Sequence, residues 1–410
     1  QMYQPYFSWA QNLRYVAWAN WPEPGGDYDN PRWDRPFIIE NALELMDQPG
    51  EWYFNRDTHE LFYYPRTGED YHTTTAVIPQ LELLISIKGD GVGQEVHNLQ
   101  FKGLTFTHSS WMRASLFGTA SQFAEELADG ECALFCSGLD PAITFTPSAI
   151  RLDGVYSVLF AGNTFQHIGS VGLGMDNNVY DVKVVGNFFN DISDAAIIMG
   201  LGEQHAVIDQ PGEGIVHDIL INNNLVYKSG VEYWGAHSII GYYVQDIEVS
   251  HNQVQEVPNS GISFYGPITN QEMDITALGN IKILNNRVDR ASLQGDISSW
   301  MQGISDAGGI YLAGNKLPSL VEGNYISNII HNYGCIYLDF YHRELTVTQN
   351  VCQNAPLWLP ATYTDEYLNP TSNTAGKLRF VNVLIQDNYT NVSRAINLVT
   401  PLYLTESTTY

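Results

Sequence analysis

The chain has 410 residues, 44% hydrophobic and 12% aromatic, so it carries enough apolar side chain to bury a large core. It holds 45 Asp and Glu against 19 Lys and Arg, a formal net charge of −26. That balance repels nucleic acid, anionic lipid and polyanionic glycans, and no local basic cluster offsets it. Strand-forming residues are plentiful, Gly is abundant at 35, and sustained helical periodicity is nearly absent, which points to an all-β chain.

Residues 1–85 are rich in Trp, Tyr and Pro and read as a small β module, in which GEWYF and ELFYYP are strands joined by a polar turn. From HNLQFKGLTF onward a repeat takes over. The segments VLFAGNTF, VKVVGNFF, ILINNNLV, IEVSHNQV, IKILNNRV, SLVEGNYI, LTVTQNVC and VLIQDNYT share one template: alternating apolar residues, an Asn, then an apolar residue two positions on. The Asn members are Asn163, Asn187, Asn224, Asn252, Asn286, Asn324, Asn350 and Asn388, at intervals of 24 to 38 residues.

Such intervals are too irregular for leucine-rich or propeller repeats and suit a right-handed parallel β-helix, an all-β solenoid with loops of variable length. Successive coils lie about 4.8 Å apart, so buried Asn amides are expected to bond along the stack. The solenoid is expected over 86–400, with 401–410 as a C-terminal tail. Between the first coils, residues 109–147 break the repeat, and TASQFAEELADG within them has helical spacing with Phe123 and Leu127 on one side.

A second strand follows in most coils. If Ile150, Ile197, Ile240, Ile262, Ile310, Ile336 and Ile396 point inward, alternation puts Arg151, Ser263, Tyr311, Tyr337 and Asn397 in one exposed column. Asp153, Asp176, Tyr243, Tyr265 and Asp339 then form the next, and the strip of Tyr and Asp is a candidate binding surface.

The four Cys, namely Cys132, Cys136, Cys335 and Cys352, match no zinc spacing with nearby His, so no metal site is expected from them. No apolar run is long enough to span a membrane. Gln1 opens without a signal peptide, as expected of a processed or trimmed product.

No HExxH, phosphate-binding glycine loop, GxSxG elbow or EF-hand is present, and the inventory that remains is carboxylates, aromatics and a few His. It suits glycoside hydrolysis, in which one carboxyl group protonates the leaving oxygen and another acts as nucleophile or activates water. ISDAGGIYLAGN and HNYGCIYLDFYH each bring an acidic residue to the Tyr column. Asp339 ends its strand beside Tyr337, and Asp306 precedes small residues that admit a ligand or permit a bend; for both, turn capping is the alternative. His331 lies near the register of Asp306 in the following coil. In GVEYWGAHSIIGYY, Glu232 is a third carboxylate candidate, Trp234 a sugar platform, and His237 outward-facing by parity. Asp153 and Asp176 lie several coils away, as remote subsites or surface charges.

The lead ENALELMDQPGEWYFNRDTHELFYYP, the repeat SHNQVQEVPNSGIS and the pair SDAGGIYLAGN and IYLDF resemble the right-handed parallel β-helix glycoside hydrolases. Within them the chain is most similar to the group that includes bacterial α-L-fucosidases and β-xylosidases, from about residue 37 to the last coils. The resemblance implies a catalytic pair at Asp306 and Asp339 on the exposed sheet face, where strand alternation also puts Tyr265, Tyr311 and Tyr337 as substrate-binding candidates. The chain departs from the family at Ala307, where a third Gly is common, and at Phe340, where an acidic residue commonly follows the Asp of YLD. Family members usually have a further N-terminal stretch that starts the helix, so a fragment or cleaved form is expected.

The expectation is therefore hydrolysis of a largely neutral plant, algal or microbial polysaccharide by a secreted or periplasmic protein, without nucleic-acid or membrane partners. No cofactor is required, with Ca²⁺ on the acidic strip left open. Two rivals stand: a β-helix polyuronate lyase or epimerase, which needs cations at its site, and a non-catalytic carbohydrate-binding or adhesion solenoid.

Overall fold

The computed structural model describes residues 41–70, 72–111, 126–128, 143–200, 214–266, 279–291, 307–314, 318–330, 334–339, 342–361, 380–392 and 396–398. The chain divides into two compact units, one over Asp29–Pro79 and the other over the remainder. In the smaller unit, Trp52–Asn55 and Glu60–Tyr63 pair antiparallel, with Trp52 opposite Tyr63. These are the two strands expected from GEWYF and ELFYYP. Their turn is closed by the Asn55 side chain, whose Oδ1 accepts from the amides of Asp57 and Thr58 at 3.0 and 3.2 Å.

The larger unit is a parallel β-helix. Among the described residues, nine coils each contribute one strand to a ten-stranded sheet and one to each of two nine-stranded sheets, Ile396–Leu398 adds the tenth strand, and every neighbour along these sheets comes from the next coil. Thus Ser148–Asp153, Val155–Ala161 and Thr164–Ile168 make one coil. Val171–Met175, Val179–Val185 and Phe188–Ile192 lie directly on them, in parallel register. Parallel crossovers between twisted strands are right-handed.

The Asn repeat forms the expected ladder. Asn163 donates Nδ2–H to Asn187 Oδ1 at 3.0 Å, Asn187 to Asn224 at 3.0 Å, and Asn224 to Asn252 at 2.9 Å. The chain of amides continues through Asn286, Asn324 and Asn350 to Asn388. From Asn187 on, each Oδ1 also accepts the backbone N–H of the preceding ladder Asn, as Asn252 Oδ1 does from Asn224 at 2.9 Å, and Asn163 Oδ1 accepts from the Leu104 amide at 3.0 Å. Every buried amide along this corner therefore has partners above and below.

The residue before each ladder Asn turns the corner with positive φ: Gly162, Gly186, Asn223, His251, Asn285, Gly323, Gln349 and Asp387. That conformation explains why Gly and Asn recur at this site. A second left-handed column, Lys228, Glu256 and Arg290, links its coils by side-chain charge, with Glu256 Oε1 2.9 Å from Arg290 Nη2.

Inside the coils, Ile, Val, Leu and Phe from the three sheets form one continuous core, with Phe165 stacked on Phe189 at 4.4 Å. Cys335, just before the strand Ile336–Asp339, is bonded to Cys352 of the strand Val351–Gln353.

Two expectations need correction. In SIIGYY it is Ile239, paired with Ile197 and Ile262, that faces the core, whereas Ile240 pairs with Ile198 and Ser263 and points outward. Tyr242 therefore stands in the outer column opposite Tyr265, and Tyr243 turns the next corner at φ 53. Two adjacent Ile leave the parity undecided until the neighbouring strands fix the register. The helix expected in TASQFAEELADG is also not formed across its end: Glu126–Ala128 is a strand, antiparallel to Ile143–Phe145.

Candidate functional site

The outer face of the ten-stranded sheet carries two columns of side chains. One runs Arg151, Gly174, Ile198, Ile240, Ser263, Tyr311 and Tyr337; the other ends Tyr242, Tyr265, Ala313 and Asp339. These columns were expected to be solvent-facing. Instead Tyr242, Tyr265, Tyr311 and Tyr337 are only 1–3% exposed and pack with Ile198, Ile240 and Ala313 as a second apolar cluster outside the coil. Alternation fixes which face a side chain takes but not whether that face is covered.

Within the cluster one set of polar groups converges. Tyr311 Oη lies 2.8 Å from Asp339 Oδ2, and Asp339, last residue of its strand, is half-buried. The Tyr311 ring stacks with two others, Tyr337 at 4.8 Å and 29° and His237 at 6.1 Å and 14°. Tyr265 closes on it edge-on at 5.0 Å.

His237 is fully buried, two residues before the strand Ile239–Tyr242. Its Nδ1 is 2.7 Å from Ser263 Oγ, and its Nε2 faces Tyr265 Oη at 3.2 Å and Asn259 Nδ2 at 3.4 Å. Burial lowers its pKa to about 3, so the ring is neutral. Asn259 Oδ1 accepts from the Ser260 amide and Nδ2 donates to Gly235 O, which fixes the orientation of that amide. Nε2, facing an amide donor, is then the acceptor, and Nδ1–H donates to Ser263.

A second buried His was not among the residues expected from the sequence. His342 follows Asp339 by three residues and is fully buried; desolvation lowers its pKa to about 4, opposed by hydrogen bonds to the backbone of Asp339 and Leu312. Nothing in YHRE distinguishes a buried His from a solvated one. Asp194 was not expected either. It is fully buried, desolvation raises its pKa to about 7, and the Ala195 amide and Thr146 side chain oppose the shift.

Elsewhere the expected residues separate. Glu232 and Trp234 are exposed, in a turn closed by the Ala236 amide on Tyr233 O at 2.9 Å, and the Trp234 indole donates to Val231 O at 3.2 Å. Asp306 and His331 lie outside the described residues. Ala307, which follows Asp306 in the chain, is buried, and the Gly308 amide donates to Ser260 Oγ at 3.0 Å. Asp176 is ion-paired with Arg151, and Asp153 with Lys88 at 3.2 Å, so both acids are neutralised by cations on the same face. Among the described residues no group of three or more His, Cys, Asp or Glu is placed to hold a metal ion, and no helix is long and apolar enough to cross a membrane.

Comparison with known proteins adds two findings. Residues 14–66 match the family model described as the GH141 insertion domain. A solved structure named "Glycoside hydrolase" has the same fold, with a TM-score of 0.60 at 21% identity over 90% of this chain. No curated protein matches the sequence. The chain spans 61% of the length of the solved glycoside hydrolase structure.

Proposed function

We propose that the protein is a glycoside hydrolase of a largely neutral polysaccharide, acting on the outer face of its ten-stranded sheet with Asp339 as one catalytic carboxylate. The observation that carries this reading is the placement of Asp339: a half-buried acid at a strand end, fixed by the Tyr311 hydroxyl and backed by a buried aromatic cluster. Asp306, which the sequence resemblance pairs with it, is the proposed second carboxyl group, with Glu232 as the alternate. The match of residues 14–66 to an insertion domain of a glycoside hydrolase family supports the same reading, as does the fold shared with a solved glycoside hydrolase.

In this scheme Asp339 needs no metal. The Tyr311 hydroxyl directs one oxygen, and the low-dielectric cluster behind it strengthens that bond. His331 and the exposed Trp234 remain the proposed substrate-side residues, whereas Tyr265, Tyr311, Tyr337 and His237 are buried behind Asp339 and do not offer their faces to a sugar; export beyond the cytoplasm suits a polymeric substrate. Affinity to the fucosidase and xylosidase group is part of the proposal.

The test is release of reducing sugar from a panel of neutral and acidic polysaccharides and aryl glycosides, with and without chelator. Release from a neutral substrate that survives chelation supports the reading. Cleavage confined to uronates and abolished by chelation favours a lyase, and glycan binding without release favours a binding solenoid.

A further inference from the structure

Tyr311 and His237 are too deeply buried to offer ring faces to a sugar, yet Tyr311 is hydrogen-bonded to Asp339 and His237 stacks on Tyr311. Tyr311 is 1% and His237 0% exposed. The Tyr311 ring stacks with Tyr337 and His237 and meets Tyr265 at an edge, and this packing sets its hydroxyl 2.8 Å from Asp339 Oδ2. His237 is itself fixed at both nitrogens, by Ser263 and by Tyr265 with Asn259.

We propose that Tyr311 and His237 are positioning residues: His237 and Tyr337 clamp the Tyr311 ring so that its hydroxyl donates to Asp339 and holds that carboxylate ionised in one rotamer. This rests on the glycoside hydrolase reading for its consequence, which is that Asp339 is the ionised member of the carboxyl pair and the leaving-group acid is another residue. A hydroxyl donor favours the charged form of the carboxyl it bonds. A neutral imidazole behind the Tyr ring adds no charge that competes for the same proton. Among the described residues, the titratable groups near Asp339 are Tyr311 and Tyr337 on the two strands, His237 and Tyr265 behind Tyr311, and His342 three residues on; Arg343 next to it is exposed.

The test compares wild type with Tyr311→Phe, His237→Ala and the double variant, each checked for an unchanged melting curve and circular dichroism. If His237→Ala does not fold, His237→Phe replaces it, since it keeps a ring against Tyr311. Tyr311→Phe is expected to lower kcat roughly 10- to 100-fold, the range for a hydrogen bond to a charged group, with KM within about twofold. The acid limb of its pH–rate profile should move to higher pH. Adding His237→Ala to Tyr311→Phe should cost much less than on the wild-type background, because His237 acts through Tyr311.

A rise in KM alone, or additive losses with an unmoved acid limb, overturns the proposal and makes these residues substrate contacts or simple core. A ¹³C-carboxylate titration, assigned with Asp339→Asn, reads the same pair without turnover. If no glycoside is cleaved but Tyr311→Phe still shifts that titration upward, the hydrolase reading fails and the Tyr311–Asp339 pairing stands. An unshifted titration overturns the pairing itself.

Discussion

Asp194 and Asn259 hold the same place two coils apart, each three residues before a strand-opening Ile and each accepting the next residue's amide on Oδ1, at 2.7 and 2.8 Å. Asn259 uses its Nδ2–H₂ to reach the carbonyl of Gly235 one coil below. Asp194 has such a donor only when protonated, and with its pKa raised to about 7 by burial it keeps that proton through the acid range.

The sign of the pH dependence follows. Asp194 is protonated in the folded chain up to about pH 7 but ionises near its ordinary value of 3.8 when unfolded. Its contribution is fully present below that value and is lost as pH rises toward 7, because the folded state then binds the extra proton. Asp194→Asn should leave stability at pH 4 nearly unchanged and raise it at pH 8 by on the order of 2 kcal/mol. Thermal melts at the two pH values check this; equal shifts at both would contradict it.

The amide ladder makes a graded prediction. Asn252 sits mid-ladder and engages four groups: it accepts from the Asn224 amide and side chain and donates to Ile221 O and Asn286 Oδ1. Asn252→Ala leaves several buried groups unsatisfied and should cost roughly 3 kcal/mol or more. At the half-buried end of the ladder, Asn388→Ala should cost clearly less, since water reaches the vacated partners. Urea unfolding of the two variants gives the comparison.

This ladder was legible in the sequence because its two signals coincide, an alternating apolar strand and an Asn at a fixed offset. The corner residue before each Asn was also in view, as the Gly, Asn, His, Gln or Asp of GN, NN, HN, QN and DN, but its left-handed backbone became evident only with φ in hand. Asp339 and Tyr311 were nominated from strand register, and Tyr311 does meet Asp339; His237 was read as outward-facing by counting from an inward Ile240, whereas Ile240 points outward and His237 is fully buried. What the pattern could not reveal is depth. Period-two alternation distinguishes the two faces of a sheet, yet Tyr311 and Tyr337 are as buried outside the coil as Ile310 and Ile336 are inside it. The buried Asp194 and His342 were invisible for the same reason.

The Cys335–Cys352 bond closes a segment of 17 residues that begins at the strand bearing Asp339. Replacing both by Ser should lower stability by about 3 kcal/mol, the loop-closure estimate for a segment of this length. The fold should survive, because the ladder and core run through many other coils. Melting of the double Ser variant against wild type measures the loss, and an unchanged midpoint would show that the bridge restrains nothing in the unfolded chain.

The most direct measurement is turnover by Asp339→Asn. That change keeps the size of the side chain and its contact with Tyr311 Oη but removes the charge. On the substrate that wild type cleaves fastest, the variant should lose at least about a thousandfold in kcat while binding the glycan as well as before, since the loss falls on the transition state. Undiminished release of sugar by Asp339→Asn would contradict the account and move the catalysis elsewhere on the chain.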